Sequence, residues 1–188
     1  GLAMEAVLSS MFGDKAEHNT WLEALLKSPP ATPDNHQPRL MVVGGENHDA
    51  ELIYLIEAQG ASVVADDLCM GSRYFWGLVP QSRQIGMEAL ATRYLEKPSC
   101  PVKDISHIGY HQRQKHILGL AREYGVQGAI LLYQKFCDPQ ELDIPFLKRS
   151  FESIGIPTCI VELDTTLAKG QIKTRVQAFL ETIELGVV

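Results

Sequence analysis

Four cysteines, Cys69, Cys100, Cys137 and Cys159, have the widest chemical reach in this chain, because a thiolate can bind a metal or attack an electrophile. Their spacing contains no Cys-x-x-Cys pair, so no local zinc or ferredoxin-type motif exists. Position in the fold must therefore decide what each can do. Cys137 lies in Gln134-Lys135-Phe136-Cys137-Asp138-Pro139, and Cys69 in Asp66-Asp67-Leu68-Cys69-Met70-Gly71-Ser72-Arg73. Each stretch directly follows a short β-branched or aliphatic run.

Lys135 and the start of a following helix would both favour the thiolate of Cys137; a half-buried spectator thiol is the competing reading. Cys69 stands beside two acids, which oppose thiolate formation. Asp66 and Asp67 could hold a cation or substrate, although turn and cap roles are commoner for Asp. Cys159, inside the apolar run Thr158–Leu163, reads as a small core residue. Cys100, in Pro98-Ser99-Cys100-Pro101, reads as structural. Arg73 could pair with a phosphate or carboxylate, or simply form a surface ion pair. Gly44-Gly45 would let a backbone approach a phosphate, but no Gly-x-Gly-x-x-Gly or Walker A sequence accompanies it. His48 and His111 have no Ser or Cys partner at a motif spacing, so hydrolase triads find no support. Tyr74-Phe75-Trp76 reads as packing or as a lid over an apolar ligand.

The elements that must position these groups are legible as alternating patterns. Four short runs, Leu40–Val43, Ser62–Ala65, Ala129–Tyr133 and Thr158–Leu163, are nearly continuous in apolar residues, as parallel strands buried on both faces are. Amphipathic helices are expected over Asp49–Gln59, Gln112–Tyr124, Ile144–Ile154 (capped by Asp143) and Gln171–Leu185, with an extra one near Arg83–Tyr94 and a loop over Pro98–Asp104. An earlier helix spans Glu17–Lys27 and stops at Pro29-Pro30. The pattern predicts a helical segment with a Pro-rich linker over 1–38. Over 39–188 it predicts an α/β domain with an open parallel sheet of about four strands and helices on both faces, a Rossmann-like or flavodoxin-like three-layer sandwich. In such a sheet, ligands collect at the carboxyl ends of the strands. Cys69 and Cys137 both fall on that rim.

Bulk composition narrows the field. Seventeen basic against 23 acidic side chains give −6, no footprint for nucleic acid or an anionic membrane. No run approaches the roughly 20 apolar residues of a membrane helix, and the first residues lack the pattern of a secretory signal. A cytoplasmic protein with reduced thiols is the expectation. A first residue other than Met is compatible with a start inside a longer protein.

The loops around Cys69 and Cys137, and the closing stretch Gly170-Gln171-Ile172-Lys173-Thr174-Arg175-Val176-Gln177-Ala178-Phe179, resemble the C-terminal part of the benzoyl-CoA reductase and 2-hydroxyglutaryl-CoA dehydratase family. The likeness runs over roughly 39–185, with Glu5–Leu26 similar to the preceding helical segment. The resemblance implies two α/β domains per subunit and a four-iron four-sulfur (4Fe-4S) cluster on three cysteines, shared with an N-terminal domain beyond this chain. It matches Cys137 to the C-terminal ligand and puts Cys69 beside the cluster or substrate, or among the metal ligands. Asp67, Arg73, Gln134 and Lys135 become candidate contacts to an acyl-CoA substrate. The chemistry implied is radical reduction. A separate ATP-hydrolysing iron–sulfur activator supplies one electron by way of the cluster to the thioester carbonyl, and the ketyl radical expels a 2-hydroxyl group or leads to partial reduction of an aromatic ring. A homologous sister subunit completes the enzyme.

Two other readings use the same rim. One is a metal-free module holding CoA, flavin or a nucleotide; the other is a non-catalytic subunit paired with a cluster-bearing partner. The Cys137 loop favours the cluster, and the missing Gly-rich fingerprint counts against a dinucleotide module.

Overall fold

The computed structural model of the chain describes residues 1–28, 36–47, 50–79, 86–98, 100–102 and 107–186, with the backbone alone at 107–110. Most of the expected linker, the start of the Arg83–Tyr94 helix, part of the Pro98–Asp104 loop and His48 lie outside those residues. The element order is α1 (Leu2–Ser9), α2 (Lys15–Lys27), β1 (Arg39–Val43), α3 (Glu51–Glu57), β2 (Ser62–Asp67), α4 (Ser72–Phe75), α5 (Met87–Glu96), α6 (His107–Glu123), β3 (Gly128–Gln134), α7 (Asp138–Glu152), β4 (Thr158–Leu163) and α8 (Lys169–Glu184). The four strands form one parallel sheet in the order β2-β1-β3-β4.

Strand alternation sorts the core into two layers. Leu40, Val42, Ile130 and Leu132 face α3 and α8, where Leu52, Ile56, Val176 and Phe179 meet them; Met4 of α1 joins this cluster. Met41, Val43, Ala129 and Leu131 face α6 and α7, against Ile117, Ala121, Leu147 and Phe151. Helices on both faces of a parallel sheet are the three-layer sandwich expected. Gly128 lets the first layer close on the sheet: a Cβ there would stand 2.5 Å from Ile183 Cδ1, 2.9 Å from Phe179 Cζ and 3.0 Å from Leu40 Cδ2.

The chain passes from β1 to β2 on one side of β1, then crosses to β3 on the other side. That reversal makes a switch point between β1 and β3, where the carboxyl-end loops part and leave a crevice.

Three local expectations are corrected. The helix expected from Ile144 begins six residues earlier, at Asp138, with Pro139 in the first turn where a missing N–H costs nothing. Its buried face continues through Gln140 and Asp143, so hydrophobic periodicity stops while the helix does not. Asp143 is therefore no cap; its carboxylate pairs with Arg113. Second, β2 extends beyond Ala65 through Asp66 and Asp67, since the last acid is buried against cations. Third, α1 and the single turn of α4 are added. The expected helix over Glu17–Lys27 begins at Lys15, where the Asp14 carboxylate accepts from the Ala16 and Glu17 amides at 2.8 and 3.1 Å.

Candidate functional site

The crevice at the switch point is walled by the loop after β1, Gly44-Gly45-Glu46-Asn47, and the loop after β3, Lys135-Phe136-Cys137. Close approach of the strands explains the first glycine. A Cβ on Gly44 would lie 2.6 Å from the Leu132 carbonyl oxygen, and one on Gly45 would collide with the Gln140 amide. Gln134 ties the walls together, and Gln140 braces the second wall from within. Gln134 donates through Nε2 to the Glu46 carbonyl at 3.1 Å, and Gln140 accepts from the Gln134 amide at 3.1 Å. Asn47 is buried in the same loop, at 7% exposure.

Cys137 ends the second wall. It is half-buried and sits at the N-cap of α7, its amide donating to Gln134 O at 3.0 Å and its carbonyl accepting from the Gln140 and Glu141 amides. The residue before it, Phe136, has φ +67° and an exposed ring, and Lys135 Nζ lies 5.4 Å from that ring's centre. A bulky side chain at positive φ is a strained conformation that persists only where its surroundings impose it. Lys135 also meets Asp164, in the loop after β4, at 3.3 Å. The Thr165 amide first, and Lys135 second, hold the Asp164 carboxyl below its ordinary value.

Cys69 stands on the same edge, in the loop after β2, exposed. Its amide donates to Gly45 O at 3.1 Å, which ties this third loop to the first wall. Desolvation around the sulfur pushes the thiol upward; Arg73 pulls it down, while Cys100, Asp67 and Glu46 raise it further. Because β2 and β3 flank β1, the two cysteine-bearing loops start about 10 Å apart, two strand spacings. Cys100 and Cys159 are half-buried, the latter packed against the core on edge strand β4.

Beneath the rim lies a buried charge network. Asp67, fully buried at the end of β2, receives Arg113 Nη1 at 2.6 Å and has Arg73 Nε at 3.4 Å. Arg113 also donates through Nε to Asp143 of α7 at 3.0 Å. Arg73 Nη2 donates to the Gly44 carbonyl and to the Asp67 carbonyl, the latter at 2.9 Å, so one guanidinium clasps two adjacent strand ends. Burial works against the Arg113 charge, but Asp67 and Asp143 more than offset it and hold the group protonated. Burial also pushes the Asp143 carboxyl up, against the pull of Arg113, and lowers His116, whose Nε2 is 4.0 Å from Asp67 Oδ1. Trp76 packs edge-on against His116 at 4.6 Å between ring centres, so this member of the aromatic run is packing. Asp66 turns back on its own loop, accepting from the Leu68 and Ser72 amides at 3.0 and 2.8 Å.

Of the side chains expected to meet substrate, Lys135 is exposed and Gln134 half-buried on the rim, whereas Asp67 and Arg73 lie below it with their charges facing each other. Sequence reasoning missed Gln140, Arg113 and His116, and took Asp143 for a cap. A signal existed. Gln140, Arg113 and Asp143 each stand one helical turn before a buried apolar residue on the same stripe (Ile144, Ile117 and Leu147), where a polar residue needs a partner. Among the described residues, no three His, Cys, Asp or Glu side chains converge on a possible metal position, and no helix is long and apolar enough to cross a membrane. Cys137 and Cys69 are the thiols on this rim that could ligate a metal.

The family pattern described as 2-hydroxyglutaryl-CoA dehydratase, D-component, matches residues 2–183. Among curated relatives, the (R)-phenyllactyl-CoA dehydratase beta subunit of Clostridium sporogenes is 30% identical over 178 residues, covering 93% of this chain and 46% of the relative. The beta subunit of (R)-2-hydroxyglutaryl-CoA dehydratase from Acidaminococcus fermentans is 28% identical, over 90% of this chain and 45% of the relative. The lactoyl-CoA dehydratase subunit beta of Anaerotignum propionicum is 26% identical, over the same shares. The chain thus spans somewhat under half the length of these relatives. With that pattern running almost end to end through its described elements, this chain belongs to the 2-hydroxyglutaryl-CoA dehydratase D-component family.

Proposed function

We propose that this chain is the C-terminal part of an iron–sulfur subunit of a 2-hydroxyacyl-CoA dehydratase, and that Cys137 holds the cluster. The observation that carries this reading is the placement of Cys137: half-buried, at the N-cap of a 15-residue helix, on the switch-point crevice of a chain from this family. The strained Phe136 beside it supports a site whose geometry is imposed. The three relatives are all named as subunits of acyl-CoA dehydratases, which favours dehydration over aromatic ring reduction.

When bound, a four-iron four-sulfur cluster supplies single electrons at a low potential set by its ligands, charge and burial. The chain's own residues set the stage. Cys137 would offer a sulfur ligand to the cluster from the N-cap of α7. Gln134 ties the two crevice walls together through the Glu46 carbonyl, and Gly44-Gly45 let the first wall pack closely on β3 and Gln140. Lys135, exposed at the mouth, suits the phosphates of a CoA ester. Asp67 and Arg73 act from below, holding the strand ends and the Cys69 loop. Cys69 borders the site. The remaining ligands, a sister subunit and an ATP-hydrolysing activator lie outside this chain, in the cytoplasm with it.

The test is turnover of the full-length, partnered subunit. Activator- and ATP-dependent loss of water from a 2-hydroxyacyl-CoA supports the reading. ATP-dependent reduction of an aromatic thioester, with no dehydration, would move the assignment to the reductase branch. Binding of CoA or flavin without iron would replace it with the metal-free module.

A further inference from the structure

Asp67 ends β2 two residues before Cys69. Asp143 lies on α7, six residues after Cys137. Arg113 of α6 joins them at 2.6 and 3.0 Å, and all three are at most 9% exposed. The chain of contacts Asp67–Arg113–Asp143 therefore runs beneath the rim from one cysteine-bearing loop to the other.

The first turns of α7 need such a tie. Pro145 lies inside that helix, where it has no N–H to give the Glu141 carbonyl and its ring crowds that carbonyl. The segment carrying Cys137 is thus less firmly joined to the part of α7 anchored by Leu147 and Phe151 in the core. Gln140, bonded to the Gln134 amide, holds this segment on one side, and Asp143 holds it on the other.

We infer that Arg113 is a positioning residue, fixing the spacing between the Cys69 and Cys137 loops through its two carboxylate partners. Arg73 completes the brace at the β2 end by clasping the Gly44 and Asp67 carbonyls. The guanidinium suits the task because its planar, always-charged fork presents donors in two directions at once, which a lysine ammonium on a flexible stem does not. The functional weight of the spacing rests on the proposed role of these loops, but the spacing itself is measurable without cluster or turnover.

Spin labels on Cys69 and Cys137, in a Cys100→Ser, Cys159→Ala background of the full chain, report it through dipolar broadening. A control pair joins Cys69 to a label at Lys173→Cys on the exposed side of α8, with Cys137 replaced by Ser. Asp143→Asn removes the charge at the α7 end and leaves Asp67–Arg113 intact, so it decides the matter even if Arg113→Met fails to fold. The brace predicts that Asp143→Asn turns a narrow Cys69–Cys137 distribution broad or bimodal, that the control pair is unchanged, and that Asp143→Glu recovers part of the narrow form. An unchanged Cys69–Cys137 distribution in Asp143→Asn would overturn the assignment. So would equal broadening in both pairs, which would mean general loosening. If the brace holds while Cys137→Ser in the full enzyme keeps its iron, only the metal reading falls.

Discussion

Replacing Arg113 with Met should be among the costliest single changes in this chain. The guanidinium side chain is 3% exposed and lies between a carboxylate that is 0% exposed and one that is 9% exposed. Methionine keeps the bulk of the stem and removes the charge. Asp67 retains Arg73 at 3.4 Å, so the deficit falls mainly on Asp143. Leaving one member of a buried ion pair uncompensated typically costs about 3–5 kcal/mol, a large fraction of the roughly 5–15 kcal/mol by which a domain is stable. Urea unfolding followed by far-ultraviolet circular dichroism measures it as a shift in midpoint at constant slope. Removing both ends, in Arg113→Met with Asp143→Leu, should recover much of the loss, because no buried charge is then stranded. The pH dependence has a definite sign. Burial already raises the Asp143 carboxyl, and losing Arg113 raises it further. A raised folded-state carboxyl contributes stability below its unfolded value and loses it as pH climbs through the folded one. The penalty in Arg113→Met should therefore be smaller at mildly acidic pH than at neutrality. A cost under about 1 kcal/mol at all pH values, the size of a surface pair, would refute the claim that this network is buried and mutually dependent.

Three further outcomes follow from the same geometry. Gly44→Ala sets a Cβ 2.6 Å from the Leu132 carbonyl oxygen; forcing β1 from β3 at the switch point should cost on the order of 1–3 kcal/mol in the same unfolding assay. His116 is lowered by burial, with Asp67, Arg113, Arg73 and Trp76 as its neighbours. A lowered His contributes stability above its unfolded value and loses it as pH falls through its folded one, so His116→Gln should flatten the acid-side fall in melting temperature. Anaerobic reconstitution of this chain alone should give far less iron and sulfide than a four-iron cluster requires, because such a cluster needs about four ligands and the rim loops offer two cysteines; stoichiometric, stable iron would show that the ligand set is misjudged.

The sheet was legible because each strand is a short, nearly continuous apolar run, and three of the helices between strands stop at Gly60, Gly125 and Gly155, all at positive φ. Both cysteine-bearing loops could be placed on one edge for the same reason: a parallel sheet puts every strand-to-helix loop at the same end. The brace was not legible. Asp67 read as a loop acid because β2 seemed to end where its apolar residues end, and Asp143 read as a cap because it precedes an apolar helix face. Partner choice over 30 and 46 residues of sequence separation decided both, and periodicity carries no information about that. Arg73, open to a phosphate in the sequence, is buried because the Gly44 and Asp67 carbonyls converge on its guanidinium.

Iron content in the full-length, partnered enzyme decides whether Cys137 holds metal. Cys137→Ser changes a soft thiolate into a hard, largely protonated hydroxyl of almost the same size. This variant should lose its iron, its cluster absorption and its ATP-dependent turnover, while its unfolding midpoint matches that of the unsubstituted protein when both are compared without metal. The matched control, Cys159→Ser on β4, should lose stability, on the order of 1–3 kcal/mol if its hydroxyl finds no partner, and keep the cluster spectrum. Full iron and full activity in Cys137→Ser would rule out a metal role for Cys137 and leave a metal-free binding module as the better description of this rim.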